Sequence, residues 1–278
     1  MLPLQQLIHY LNVENMKKAL LSVLVYFLIT QCLGALLYAV IALLMKSNNM
    51  SIPGPALLSG MYMLCIFIAI TICWKGLKVM RIPETFSTSD IKWGWALVAI
   101  VAAIAGIFAG NLLIEIINLP DLFEEDMMDM ADSIWGILTI AIIGPIAEEL
   151  VLREGLCGYL IRNGSNPTKA IWISAITFGI IHFNPTQVAI AVIIGIILGV
   201  IYVKTGSIVL TSIIHILNNS FAVVQMKILG EEAKDLKMVD WVGGYTIAGL
   251  CIIIGFAVCY FLMRKFWESN PSSTSIEH

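Results

Sequence analysis

The segment Ala141–Tyr159, AIIGPIAEELVLREGLCGY, is apolar yet carries Glu148, Glu149, Arg153 and Glu154. A charge at the centre of a bilayer costs about 2.5–3.5 kcal/mol on insertion scales. Such groups persist where they face a bundle interior, pair with one another, or do chemistry. Glu149 and Arg153 stand four residues apart, so on a helix they share a face and can pair. Glu148 is turned by about 100° from its neighbour and points elsewhere. One carboxylate is then held by the arginine, while the other is free to take up and release a proton, as a general base must. Pro145, three residues before Glu148, deletes one helical hydrogen bond. In an α-helical register the carbonyl left without a donor is that of Ala141.

Two further polar intrusions follow in apolar segments. His182 ends TFGIIHF, with Phe178 one turn before it, and His215 and Asn219 lie four apart on one face of SIIHILNNS, with Asn218 beside them. Singly, each has a structural explanation. A membrane histidine often serves as a hydrogen bonder between helices, and a buried Glu–Arg pair can be purely architectural. Two carboxylates, two histidines, an amide and an arginine together make a costly set for packing alone. Hydrolysis of an amide needs an activated water and donors for the oxyanion. A glutamate and a histidine can share the water and its proton. A histidine and an asparagine one turn apart can supply two hydrogen bonds to the developing negative charge. Glu148, His182 and His215 are equally suitable zinc ligands, so a metal-dependent reaction stays open beside a metal-free one. Neither HExxH nor GxSxG occurs.

The order and spacing of these groups carry a resemblance. Glu148, Glu149 and Arg153 as E-E-x-x-x-R, Phe178 and His182 as F-x-x-x-H, and His215 and Asn219 as H-x-x-x-N resemble the three motifs of the CPBP family. These are the CAAX protease and bacteriocin-processing (Abi) intramembrane proteases. The matching stretch runs from about Ile134 to Phe221. The resemblance implies an all-helical membrane endopeptidase whose site opens towards the cytoplasm. It implies that Glu148, Glu149, His182, His215 and Asn219 form the catalytic set. Glu148 and His182 would activate the water, and His215 and Asn219 would stabilise the oxyanion. Glu149 with Arg153 would position the site, and Phe178 belongs to the same supporting shell. It leaves two forms of the chemistry, a zinc enzyme and a glutamate-type protease without metal, and it does not by itself imply a prenylated substrate.

The frame that must hold these residues is a membrane protein. Of 278 residues, 59% are hydrophobic and 13% charged, with a mean hydropathy of +0.90. Soluble domains carry about 25% charged residues. The net charge of −3 gives no reason to expect a nucleic-acid partner. The partners expected are membrane lipid and a peptide or protein substrate. The six cysteines lie in or beside apolar runs without CxxC spacing and read as small buried hydrophobes. Lys17 and Lys18 precede an apolar run longer than the roughly 7–15 residues of a signal-peptide core, which reads as an anchor.

A spanning helix needs about 20 apolar residues. About eight segments qualify, near 19–45, 55–74, 94–119, 134–162, 169–183, 185–203, 207–226 and 243–263, making an all-α polytopic bundle. The fifth is short and is separated from the sixth only by Asn184-Pro185, so these two form a hairpin that need not cross fully. With the N-terminus inside, only Lys46, Lys227, Lys234 and Lys237 of the 16 basic residues fall outside. The positive-inside rule therefore puts both termini in the cytoplasm, in a bacterial inner or plasma membrane. The acidic run Asp121, Glu124, Glu125, Asp126, Asp129 and Asp132 falls on the outer side as a solvated loop.

Along the chain, residues 1–18 form an interfacial segment, 19–130 the N-terminal helices and acidic loop, 131–226 the catalytic core, and 227–278 the outer loop, last helix and polar tail. Gly195 and Gly199 in the sixth segment permit close packing beside the site. Two other readings compete with the protease. One is a carrier relaying protons through Glu148, His182 and His215, which inverted repeats would favour and the sequence does not display. The other is a non-catalytic membrane partner of the bacteriocin self-immunity type.

Overall fold

The computed structural model describes residues 4–51, 54–89, 91–122, 124–229 and 237–269. The polar tail and Lys234 lie outside these. Among the described residues the fold is all helix. The helices are α1 (Leu4–Phe27), α2 (Gly34–Ser47), α3 (Pro55–Thr71), α4 (Trp93–Ile117), α5 (Glu124–Ala131), α6 (Ile134–Leu138), α7 (Gly144–Glu149), α8 (Tyr159–Arg162), α9 (Pro167–Ile180), α10 (Pro185–Thr205), α11 (Ile208–Leu229), α12 (Met238–Trp241) and α13 (Tyr245–Ser269). α1 runs into α2 through a π-helical stretch, Leu28–Leu33, without a break, so no loop separates an interfacial helix from the first span. The acidic run 124–131, expected as loop, is the short helix α5. Outward-facing Leu43, Phe67, Leu97 and Ile253 are exposed, as lipid contacts are in a multi-pass protein.

Contacts between loops sort the chain into two ends. At one end Tyr159 donates to Asn15, Arg162 donates to the Val79 carbonyl, Ser207 donates to the Thr85 carbonyl, and Lys204 stacks over Trp267. At the other end Asn184 holds Asp121 and the Leu122 N–H, Lys227 pairs with Asp132, and Glu115 caps the N–H groups of Met238 and Val239. The chain thus alternates between the ends in the eight passes expected. Among the described residues only seven helices have spanning length. The exception is α9, with 14 residues. It rises about 21 Å, short of the roughly 30 Å hydrocarbon core. Its far end nevertheless reaches the Asp121–Leu122 turn through Asn184. It packs closely on α10. A Cβ added at Gly195 would stand 2.8 Å from the Ala175 Cα, so glycine there sets the spacing of the hairpin.

Candidate active site

The fourth pass is continuous from Ile134 to Arg162, and Glu148 lies at its midpoint. It alternates α and π geometry: α6, a π stretch Thr139–Ile143, α7, a longer π stretch Leu150–Gly158, then α8. Isolated π turns are uncommon and concentrate at functional sites. The first π stretch changes the consequence of Pro145. The Gly144 N–H donates to the Thr139 carbonyl, five residues back. In that register the donor for Ile140 would be residue 145, which as proline has none. The carbonyl left free is therefore Ile140 rather than Ala141. Asn219, from α11, donates its side-chain amide to this Ile140 oxygen at 3.0 Å. Asn218 in turn donates to the Asn219 Oδ1 at 3.0 Å. The third motif is thus tied to the kink beside the first, and one of the two amide hydrogens of Asn219 remains unassigned.

Glu149 and Arg153 pair as their spacing implies. Arg153 Nε stands 3.1 Å from Glu149 Oε2, and both side chains are fully buried. The guanidinium also lies over the Phe178 ring, 5.1 Å from its centroid, and donates to Ser174 Oγ at 3.4 Å. An ion pair out of water persists only when such extra partners satisfy it. The other oxygen of Glu149 accepts a hydrogen bond from His215 Nδ1 at 3.1 Å. His215 Nε2 then faces Glu148 Oε2 at 3.5 Å. Four groups therefore stand in line: Arg153, Glu149, His215 and Glu148. Three are sealed from solvent, while Glu148 retains 19% side-chain exposure. The line has one accessible end, and it is the carboxylate expected to be free.

His182 sits just past the C-terminus of α9, half-buried. Its Nδ1 lies 2.8 Å from the Phe178 carbonyl. A carbonyl only accepts, so the ring proton is on Nδ1 and Nε2 is the basic atom of the neutral imidazole. Phe178 connects the parts. His182 and His215 both meet its ring edge-to-face, at 5.0 and 5.5 Å between centroids. The phenylalanine of the second motif therefore seats both histidines and the arginine. No contact links His182 to Glu148. The partner of Glu148 among these groups is His215, so the buried line runs through the third motif. Among the described residues no group of three or more His, Cys, Asp or Glu side chains is arranged to hold a metal, the trio Glu148, His182 and His215 included. As they stand, Glu148, His182 and His215 do not converge on one point.

Two groups of residues at or near this site had no role in the sequence reading. Glu154, the residue after Arg153, is fully buried in a second ionic cluster. It accepts from the Tyr202 hydroxyl and the Arg81 N–H, pairs with Arg162 at 2.9 Å, and has Arg81 Nε at 3.6 Å. A carboxylate in an apolar stretch calls for partners, and these come from the 77–92 connection, from α10 and from the end of the same pass. Tyr26 on α1 neighbours Tyr62 on α3, whose hydroxyl accepts from Gln31 at 2.7 Å. Nothing in their sequence context marked them.

Residues 130–221 match the family model described as Type II CAAX prenyl endopeptidase Rce1-like. That stretch holds all three motifs and agrees with the resemblance to CAAX proteases that they carried. It covers the fourth to seventh passes and leaves the first three and the last outside. No curated protein and no solved structure matches the chain.

Proposed function

We propose that this protein is an intramembrane endopeptidase that hydrolyses a peptide bond by direct attack of water. The observation that carries the reading is the line Arg153–Glu149–His215–Glu148, sealed except at Glu148. Glu149, anchored by Arg153, fixes the His215 ring so that Nε2 addresses Glu148. In the reactive state Glu148 is a carboxylate and His215 an imidazolium, so two cations and two anions balance along the line. Glu148 takes a proton from water, with His182 Nε2 as the second acceptor, and the resulting hydroxide adds to the peptide carbonyl carbon. The oxyanion receives hydrogen bonds from His215 Nε2–H and from the free amide hydrogen of Asn219. The proton on Glu148 then passes to the departing nitrogen, the C–N bond breaks, the remaining proton of the new carboxylic acid passes to His182 Nε2, and a carboxylate and an amine leave.

The family match supports an endopeptidase of this class, and its description makes a C-terminal prenylated peptide one substrate to try. The end of the bundle bearing Lys17, Lys18, Lys75, Lys78, Arg81, Arg162 and Lys204 is assigned to the cytoplasm, with both termini there. The test is cleavage of fluorogenic peptides, plain and farnesylated, by the purified protein in detergent. Wild type is compared with Glu148→Ala and His182→Ala, with and without a chelator. Cleavage by wild type that persists with chelator and is lost in both variants is the expected result. Loss with chelator would replace the metal-free route by a zinc-dependent one. Cleavage that survives Glu148→Ala, or no cleavage by wild type, would overturn the reading in favour of a carrier or non-catalytic partner.

A further inference from the structure

Phe183, the residue after His182, has a left-handed backbone with φ of +52°. That region suits glycine, and a bulky side chain held there is strained. Such strain persists only where the surroundings enforce it, and it gathers at functional sites. Here the enforcing contacts are specific. The Phe183 N–H donates to the Ile180 carbonyl at 3.2 Å, closing α9. Asn184, next in the chain, is fully buried; it donates to Asp121 Oδ1 at 2.7 Å and accepts from the Leu122 N–H at 3.2 Å. His182 turns to Phe178, Asn184 turns into the protein, and the Phe183 side chain between them is 61% exposed. Its ring lies against Phe27 of α1, with 5.2 Å between centroids and a tilt of 34°, within the range of attractive aromatic pairs. α1 and α9 both pack on the π stretch Leu150–Gly158 but do not pack side by side. Phe27 belongs to the first pass, outside the stretch 130–221 that carries the motifs.

We infer that Phe183, clasped by Phe27, is a positioning residue for His182. The inference rests on the hydrolytic reading above, in which His182 Nε2 is the second proton acceptor. The bond from Nδ1 to the Phe178 carbonyl fixes the imidazole only relative to its own helix. The short α9 then gives way to a turn of four residues, Ile181–Asn184, before α10 begins. Where that turn stands relative to Glu148 on the fourth pass is set by its ties to other passes. Asn184 ties it to the Asp121–Leu122 turn, and Phe183 ties it to α1. Glycine at 183 would relieve the backbone but drop the tie to α1. The ring accounts for a phenylalanine held in a glycine's conformation, and the first pass thereby helps to place a proton acceptor of the matched core.

The experiment compares the full chain with Phe183→Gly, Phe27→Ala, the two combined, Phe183→Tyr and Glu148→Gln. It measures kcat and KM on the best peptide of the fluorogenic set, and the melting temperature. Phe183→Gly is expected to lose roughly 10- to 100-fold in kcat, as for a reacting group displaced by up to about 1 Å, with KM changed less than about twofold. Its melting temperature should stay close to that of wild type, because relief of the backbone offsets the lost ring contact. Phe27→Ala should lose a similar factor in kcat from another helix, and the combined variant no more than the larger single loss, since both break one contact. Phe183→Tyr, which keeps the ring, should recover most of the turnover. Wild-type kcat in Phe183→Gly, alongside an inactive Glu148→Gln, would overturn this inference and leave the protease standing. Single losses that multiply in the combined variant would overturn the clasp. A raised KM at unchanged kcat would make the rings a substrate contact instead, and a lower melting temperature at unchanged kcat would make them structural. Full activity of Glu148→Gln, or an inactive wild type, would remove the hydrolytic reading and this inference with it.

Discussion

Glu149 and Glu154 lie little more than one turn apart on the fourth pass, both fully buried, and each anchors an ionic cluster. The Glu154 cluster is closed. Its carboxylate takes a tyrosine hydroxyl, a backbone N–H and an arginine at short range, with a second arginine slightly farther off. It ties the 77–92 connection and α10 to the π stretch. The Glu149 cluster is open. Its carboxylate is held by Arg153 and His215, but the line continues to Glu148, which reaches solvent and meets its partner only at 3.5 Å. The same residue type in the same helix serves architecture in one place and, on the proposed reading, chemistry in the other. The difference lies in whether the last group in the line has a fixed partner. Enzymes often retain this kind of incomplete satisfaction at the reacting group while supporting it with a satisfied shell.

Substitutions that treat the two clusters differently should break or sharpen this contrast. The largest effect is expected for His215→Phe, which removes the link between the two glutamates. Peptide turnover should fall by about 10²–10⁴-fold, the range for loss of a proton-transfer group, as read in the fluorogenic assay. Equal turnover would show that the line is not the reacting element. Next comes Glu154→Leu. It leaves Arg162 and Arg81 without their shared carboxylate, and removing one partner of a buried pair costs about 3–5 kcal/mol. Unfolding in detergent should register that loss, while turnover per folded molecule stays within a few-fold of wild type.

Asn219→Leu belongs to both sides of the comparison. It orphans the Ile140 carbonyl, a cost of about 1–3 kcal/mol, and also removes an oxyanion donor. Stability and kcat should therefore fall together, and a fall in only one would separate its two roles. The smallest effect is expected for Lys227→Met. Its pair with Asp132 is exposed at the rim, and such pairs contribute about 0.2–1 kcal/mol. Its melting temperature should barely move, and raising the salt concentration in wild type should produce a change of similar size.

Much of this arrangement was legible in the sequence, and the rest was hidden for physical reasons. Charged groups in apolar runs announce themselves, so Glu148, Glu149, Arg153, His182, His215 and Asn219 stood out. The four-residue spacing of Glu149 and Arg153 gave their pairing. Eight apolar segments followed from hydropathy, and so did the shortness of the fifth, which is the 14-residue α9. The register around Pro145 was not readable. An α and a π turn place the same residues in sequence but hand the missing hydrogen bond to different carbonyls. That choice is made by packing against α11, where Asn219 waits. Which histidine meets Glu148 is likewise a tertiary fact. Phe178 holds both rings, and only the fold decides that His215 turns its Nε2 to the carboxylate.

The claim at the centre is that Glu148 is the open, reacting end of an otherwise buried line. Glu148→Gln tests it most directly, with turnover and melting temperature measured on the same detergent preparation. The account predicts turnover lost by at least about 10²-fold, as for a general base, with the melting temperature unchanged or raised. Retained turnover would contradict the assignment of Glu148 as the base. A melting temperature that falls as steeply as it does for Glu154→Leu would contradict the contrast, making Glu148 one more structural carboxylate.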